Sequence, residues 1–218
     1  IPSIKDGKFV NPKTKELFDY FLETYNVGEY LRKGRTVNLF AYGFSGSGKT
    51  HTLLNGSIDD KSIFVELIES FKTGKNTYLK DISIDQIDIK IYYPLVNNYS
   101  EEPYLYSKTN KDTEQYKYSG ESKILSAPNK SIYNILVKRL EEIEDNFNKY
   151  INPESDNPDI KIDKLFEELE QVMIDHLLIL PTTNNKNSSR AFTILDINCI
   201  YTPTDGSTKK KSKIRFID

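Results

Sequence analysis

The sequence predicts an α/β layered domain. Three observations carry this: apolar runs at strand period alternate with runs at helical spacing, a glycine-rich turn joins an apolar strand to a helix, and two strand-like runs near the C-terminus flank an Asp205-Gly206 turn.

In chain order, Asn11-Pro12 offers a helix cap followed by proline at the first helical position. Leu17, Phe18, Phe21, Leu22 and Tyr25 then recur on one face until Gly28 or Gly34. Val37–Tyr42 is a compact apolar run, read as a buried strand entering the glycine-rich turn. A helix starts at Thr50–Leu54, breaks at Asn55-Gly56 and resumes over Ile63–Phe71. Ile82 and Ile84, then Ile87, Ile89 and Ile91, alternate with polar residues, with a slip between the two sets that a bulge absorbs. Residues 97–130 read as a polar surface excursion with short strand pieces. Ser131 caps a helix carrying Ile132, Ile135, Leu136, Leu140, Ile143 and Phe147. A polar linker around 151–160 leads to a second helix carrying Leu165, Phe166, Leu169, Val172, Met173, His176 and Leu177. Phe192–Tyr201 and Lys213–Ile217 form a hairpin. One domain over 1–218, with polar insertions around 97–130 and 151–160, accommodates all of this.

The 218 residues carry 30 basic and 32 acidic side chains, a net charge of −2. No global cationic field draws in nucleic acid or a membrane surface, so an anion must be met by a local site. Cys199 is the single cysteine, which excludes an intrachain disulfide or a cysteine-based metal site and points to a reducing, cytoplasmic compartment. Leu177–Leu180 and similar runs are too short to span a bilayer, and the first twenty residues lack a signal-peptide pattern. The chain begins at Ile1 without Met and ends inside a strand-like run, and so reads as part of something longer.

The chemistry concentrates in Gly43-Phe44-Ser45-Gly46-Ser47-Gly48-Lys49-Thr50. Glycines let successive backbone N–H groups converge on phosphate oxygens, and Lys49 adds a mobile cation. Thr50 offers a hydroxyl to Mg²⁺ at a helix N-terminus, where the helix dipole also favours negative charge. A nucleotide is the ligand this pattern fits. A second constellation, Asn185-Lys186-Asn187-Ser188-Ser189-Arg190, packs an amide, two hydroxyls and a guanidinium ahead of an apolar strand. Taken alone it also fits a solvated loop.

Together the two motifs resemble the kinesin motor domain. Phe40–Thr52 matches that family's phosphate loop, Phe-Ala-Tyr-Gly-x-x-Gly-x-Gly-Lys-Thr-x-Thr, and Asn185–Arg190 matches its first switch, Asn-x-x-Ser-Ser-Arg. Myosins have a similar switch but lack the Phe-Ala-Tyr-Gly lead-in. Ile214–Asp218 resembles the strand that leads into the second switch. The resemblance implies a P-loop NTPase fold, a central mixed β-sheet flanked by helices, C-terminally incomplete. It implies ATP and Mg²⁺ as ligands and microtubules, hence tubulin and the cytoskeleton, as partner of the complete protein. By the same resemblance Lys49 contacts the β- and γ-phosphates, Thr50 and Ser189 help hold the metal, Asp218 reaches it through water, and Ser188 helps position the attacking water. His51 either faces the adenine or is merely exposed on the first helical turn. Arg190 pairs in the family with a second-switch Glu, which has no counterpart among these residues.

Other departures are the missing Arg-x-Arg-Pro segment near the N-terminus and Ala191-Phe192 in place of the family's Ser-His. The helices between 131 and 177 exceed what the family places before its switch. Two other readings stay open: a kinesin-like nucleotide-binding or scaffold module without turnover, and an unrelated P-loop NTPase. Lys209–Lys213 reads as a solvated rim, Glu141-Glu142 and Glu167-Glu168 as outward helix faces, and His176 as a core residue. The Asn-x-Ser patterns at Asn55, Asn98, Asn129 and Asn187 do not fit glycosylation in the expected compartment.

Overall fold

A computed structural model describes residues 3–5, 8–10, 13–43, 47–57, 59–92, 104–107, 130–152, 161–175 and 192–218. In chain order these form β1 (Ser3–Lys5), β2 (Lys8–Val10), α1 (Thr14–Thr24), α2 (Val27–Arg32), β3 (Thr36–Phe40), α3 (Ile63–Thr73), β4 (Ile82–Tyr92), β5 (Tyr104–Ser107), α4 (Lys130–Ile151), α5 (Ile162–Asp175), β6 (Phe192–Tyr201) and β7 (Lys210–Ile217). A π-wound turn covers His51–Asn55 and a 3-10 turn Thr77–Leu79. β1 and β2 make a small antiparallel ribbon. The main sheet is mixed, with order β3-β7-β6-β4-β5, and only the β3–β7 pair is parallel.

The first helix departs from expectation at both ends. It starts at Thr14, whose N–H donates to Asp60 Oδ1 at 3.0 Å, so a residue 46 positions away caps it. Asn11 and Pro12 lie outside the described residues. The helix then breaks at Asn26, which sits in the left-handed region at φ 47°, a conformation asparagine tolerates. The break lets α2 lie against the Thr77–Leu79 turn, where a Cβ on Gly28 would stand 1.8 Å from the Tyr78 carbonyl oxygen.

The run at Val37–Tyr42 proves to be an edge strand with one exposed face, where a buried strand was expected. Among the described residues β3 pairs only with β7; Val37, Leu39 and Ala41 pack against the core, while Phe40 and Tyr42 on the other face are exposed. The expected bulge in β4 falls between Ile84 and Gln86, and the hairpin is β6–β7, with β7 beginning at Lys210, three residues earlier than expected. Ser131 lies inside α4, not at its cap, and Ile135 is exposed, whereas Leu140, Ile143 and Phe147 are buried as their spacing requires. β5 is one of the strand pieces foreseen in 97–130; the rest of that excursion, most of the 151–160 linker and His176 lie outside the described residues.

The core centres on Phe64 of α3. Its ring meets those of Phe147, Phe166 and Phe216 edge-on at 6.0, 5.3 and 5.2 Å, which joins α3, α4, α5 and β7. α4 has a second task, because β5 covers β4 only at Lys90–Tyr92. The bare backbone at Ile87 is met by Asn148, which accepts its N–H at 2.7 Å and donates to its carbonyl at 2.8 Å; Glu144 accepts the Ile89 N–H at 2.7 Å. Four residues of helix rise about 6 Å and two of strand about 7 Å, so the two rows match. An unpaired edge is closed without a further strand.

The opposite face of the sheet is polar. Asp196, buried in mid-strand on β6, accepts from Arg215 Nε at 2.6 Å and Nη2 at 2.9 Å, from Lys90 Nζ at 2.7 Å and from Lys213 Nζ at 3.0 Å. Burial opposes its charge, but these hydrogen bonds win and hold the carboxyl well below the usual carboxylate range. On the core face Cys199 is buried, and burial pushes its thiol up to about 12, which makes it unreactive at neutral pH. Among the described residues no helix is long and apolar enough to cross a membrane.

Phe64→Ala should cost about 3–5 kcal/mol in urea unfolding, because it empties the meeting point of three helices and a strand. For Asp196 the folded pKa is depressed, so its contribution is fully present above the unfolded value of about 4 and is lost as pH falls toward the folded one. Asp196→Asn should cost about 3–5 kcal/mol at pH 7 and flatten the acid limb of stability against pH, measured by urea unfolding between pH 2 and 7.

Candidate nucleotide and metal site

The site forms because β3 and β7 run parallel with Phe40 opposite Ile217. Their next residues, Ala41 leading into the glycine-rich turn and Asp218 closing β7, therefore emerge side by side at the C-terminal ends of parallel strands. Open α/β sheets keep their ligand sites at such ends. Asp218 is held there by a closed pair of backbone bonds to Thr193: its N–H donates to the Thr193 carbonyl at 3.0 Å and its carbonyl accepts the Thr193 N–H at 2.9 Å.

Gly48 has φ +82° and open space where a Cβ would stand, the conformation that turns the chain from loop into helix. The first i→i−4 bond runs from the Thr52 N–H to the Gly48 carbonyl at 2.9 Å, so the amides of Lys49, Thr50 and His51 lie ahead of the helical ladder, as at an anion-binding N-terminus. The helix then widens into its π-wound turn, closed by the Gly56 N–H on the His51 carbonyl at 2.8 Å. Ser62 anchors that turn to α3, donating to the Leu54 carbonyl at 2.6 Å while accepting the Val65 N–H at 3.2 Å.

Thr50 Oγ1 donates to Asp218 Oδ2 at 2.7 Å, joining residues 168 positions apart. Lys49 Nζ donates to the Gly43 carbonyl at 3.2 Å. Burial pushes the Asp218 carboxyl above the usual range, against the opposing pull of the Thr50 hydroxyl and the Lys49 charge. A hydroxyl and a carboxylate in contact are the hard oxygen donors Mg²⁺ takes, in sites completed by water and phosphate oxygens. Among the described residues no cluster of three or more His, Cys, Asp or Glu side chains gathers.

Gly43, Ser47, Gly48, Lys49, Thr50, His51 and Asp218 are thus brought to one end of the sheet, with His51 exposed on the first helical turn. Phe44, Ser45, Gly46, Asn185, Ser188, Ser189 and Arg190 lie outside the described residues. Sequence reasoning missed Thr193 and the Asp196–Arg215 pair. A signal existed, since an acid inside Ile194-Leu195-Asp196-Ile197 demands a cation once buried.

The kinesin motor domain model matches residues 8–218. The chain belongs to the kinesin motor-domain family. Kinesin motor domains as a class are ATP-binding motors, and the mixed sheet with flanking helices is their fold. Among solved structures, one of a fast kinesin, described for its ATPase mechanism and interactions with microtubules, is 15% identical over 95% of this chain and 50% of that chain, with a TM-score of 0.44. The chain thus spans about half of that kinesin's length. No curated protein matches.

A raised folded pKa means that Asp218 stabilises below its unfolded value and that this is lost as pH rises through the folded value. Asp218→Asn, which can still accept from Thr50, should therefore raise the melting temperature above pH 7, by no more than about 2 kcal/mol in equivalent stability, and reduce its pH dependence between 4 and 7. Calorimetry across that range measures both effects.

Proposed function

We propose that this domain binds ATP with Mg²⁺ through Gly43–His51, Asn185 and Asp218, and that the complete protein couples ATP hydrolysis to movement on microtubules in the cytoplasm. The observation that supports this best is the Thr50–Asp218 contact. It joins the residue that follows the phosphate-loop lysine to the acid that ends the neighbouring parallel strand.

In this reading the loop amides and Lys49 hold the triphosphate, Thr50 and Ser189 hold the metal, and Asp218 reaches it through water. Bound Mg²⁺ draws negative charge off the phosphate oxygens. Ser188 and Arg190, just ahead of β6, orient the attacking water and close the site over the γ-phosphate. Transfer to water then depends on positioning and on stabilisation of spread charge, with little covalent work for the protein.

Lys49→Ala should weaken ATP binding about 10- to 100-fold in titration calorimetry with Mg²⁺, the loss expected of one charge-assisted contact. Equal affinity of variant and parent would refute the site. Phosphate release stimulated by added microtubules supports the motor reading; ATP binding without any stimulation assigns the chain to a nucleotide-binding module.

A further inference from the structure

Hydrophobic burial leaves one feature of the sheet unspecified. In β7 the core-facing residues Ile214 and Phe216 alternate with Lys213 and Arg215. β6 repeats the pattern with Leu195 and Ile197, and β3 with Val37 and Leu39. A slip of one residue would turn the apolar set outward and is excluded. A slip of two keeps every apolar side chain inside, so burial alone permits it, yet it would move Asp218 about 7 Å along the strand, away from Thr50. Apolar burial alone therefore leaves room for a further device that fixes the register on which the Thr50–Asp218 contact depends.

Arg215 supplies it. It stands directly opposite Asp196 in the β6–β7 pairing and grips both carboxylate oxygens, Nε on Oδ1 at 2.6 Å and Nη2 on Oδ2 at 2.9 Å. This forked geometry has one matching position along the strand, whereas a lysine, as a point charge, meets a carboxylate from several. Lys90 ties the same carboxylate to β4, so three strands share one anion. Three residues further along β7, the paired bonds of Thr193 and Asp218 form the last rung before the site. β6 is also the strand that directly follows Ser188, Ser189 and Arg190 in the chain.

We propose that Arg215 is a positioning residue: clamped on Asp196, it fixes β7 against β6 and thereby sets where the Asp218 carboxylate stands relative to Thr50. The proposal rests on the nucleotide and metal reading of that site. Its chemical consequence falls chiefly on the metal-dependent part of binding, because the clamp acts between β7 and β6, whereas the phosphate loop is carried by β3 and the helix after it.

The test compares the parent with Arg215→Met and Arg215→Lys. ATP affinity is measured with Mg²⁺ and with EDTA, and amide exchange is followed in the nucleotide-free protein. Arg215→Met should cut the gain in affinity that Mg²⁺ gives by about tenfold, with little change in EDTA. It should speed exchange selectively at Thr193 and Asp218, and Arg215→Lys should recover part of both effects. An unchanged Mg²⁺ gain, or a loss equal in both buffers with exchange faster along all of β6 and β7, would overturn the proposal and leave Arg215 a general stabiliser. A parent that binds no ATP refutes the site reading itself; exchange then decides alone whether Arg215 governs the last rung.

Discussion

The parallel pairing of β3 with β7 is the constraint from which the rest of the molecule follows. Every other pair in the main sheet is antiparallel, and this one joins the two strands that lie furthest apart in the chain. Such contacts form against a large loop-closure entropy, so they need strong support on both faces. The support is unequal in kind. On one face Phe216 enters a cluster of aromatic rings with Phe64, and on the other Asp196 gathers three cations. The candidate site depends on both, because they fix where Asp218 stands beside the phosphate loop and Thr50.

These two kinds of support differ in what they specify. Edge-to-face aromatic packing stabilises strongly, but its preferred geometry leaves a ring more freedom than a forked hydrogen-bond pair leaves a strand. A buried ion network is a weaker stabiliser, since desolvation offsets much of the attraction, and a well-packed apolar set is often as stable. What the network adds is direction, because a forked guanidinium and its carboxylate match at one relative position. A polar sheet face in the middle of a domain makes physical sense where the placement of a strand matters more than its adhesion.

Much of this was legible in the sequence. The strand-turn-helix frame of the phosphate loop, the bulge in β4, the terminal hairpin and the pairing of Thr50 with Asp218 at one site all follow from period and motif, because each depends on local chemistry or on a matched pattern. The exposed face of Val37–Tyr42 was not legible. Apolar density predicts burial, whereas position at the edge of a sheet is a property of topology. The break at Asn26 was hidden because its cause, the close approach of Gly28 to the Tyr78 carbonyl, lies fifty residues away. Asp60 capping α1 and Asn148 closing the edge of β4 were hidden for the same reason. Side chains that serve distant backbone leave no periodic trace.

The Thr50–Asp218 contact shows how stability and chemistry oppose each other here. Burial makes the ionised Asp218 costly, and the Thr50 hydroxyl and Lys49 charge recover only part of that cost. Were the carboxylate fully solvated, water would already have satisfied its lone pairs, and a cation arriving nearby would gain less from it. Held half-desolvated, with the Thr50 hydroxyl as its hydrogen-bond partner among the described residues, it keeps acceptor capacity to spare, which is what the proposed metal would use. A residue so placed must be held by something else, and the sheet holds it by its backbone: two bonds to Thr193 at the last rung, with the Asp196–Arg215 clamp three residues behind.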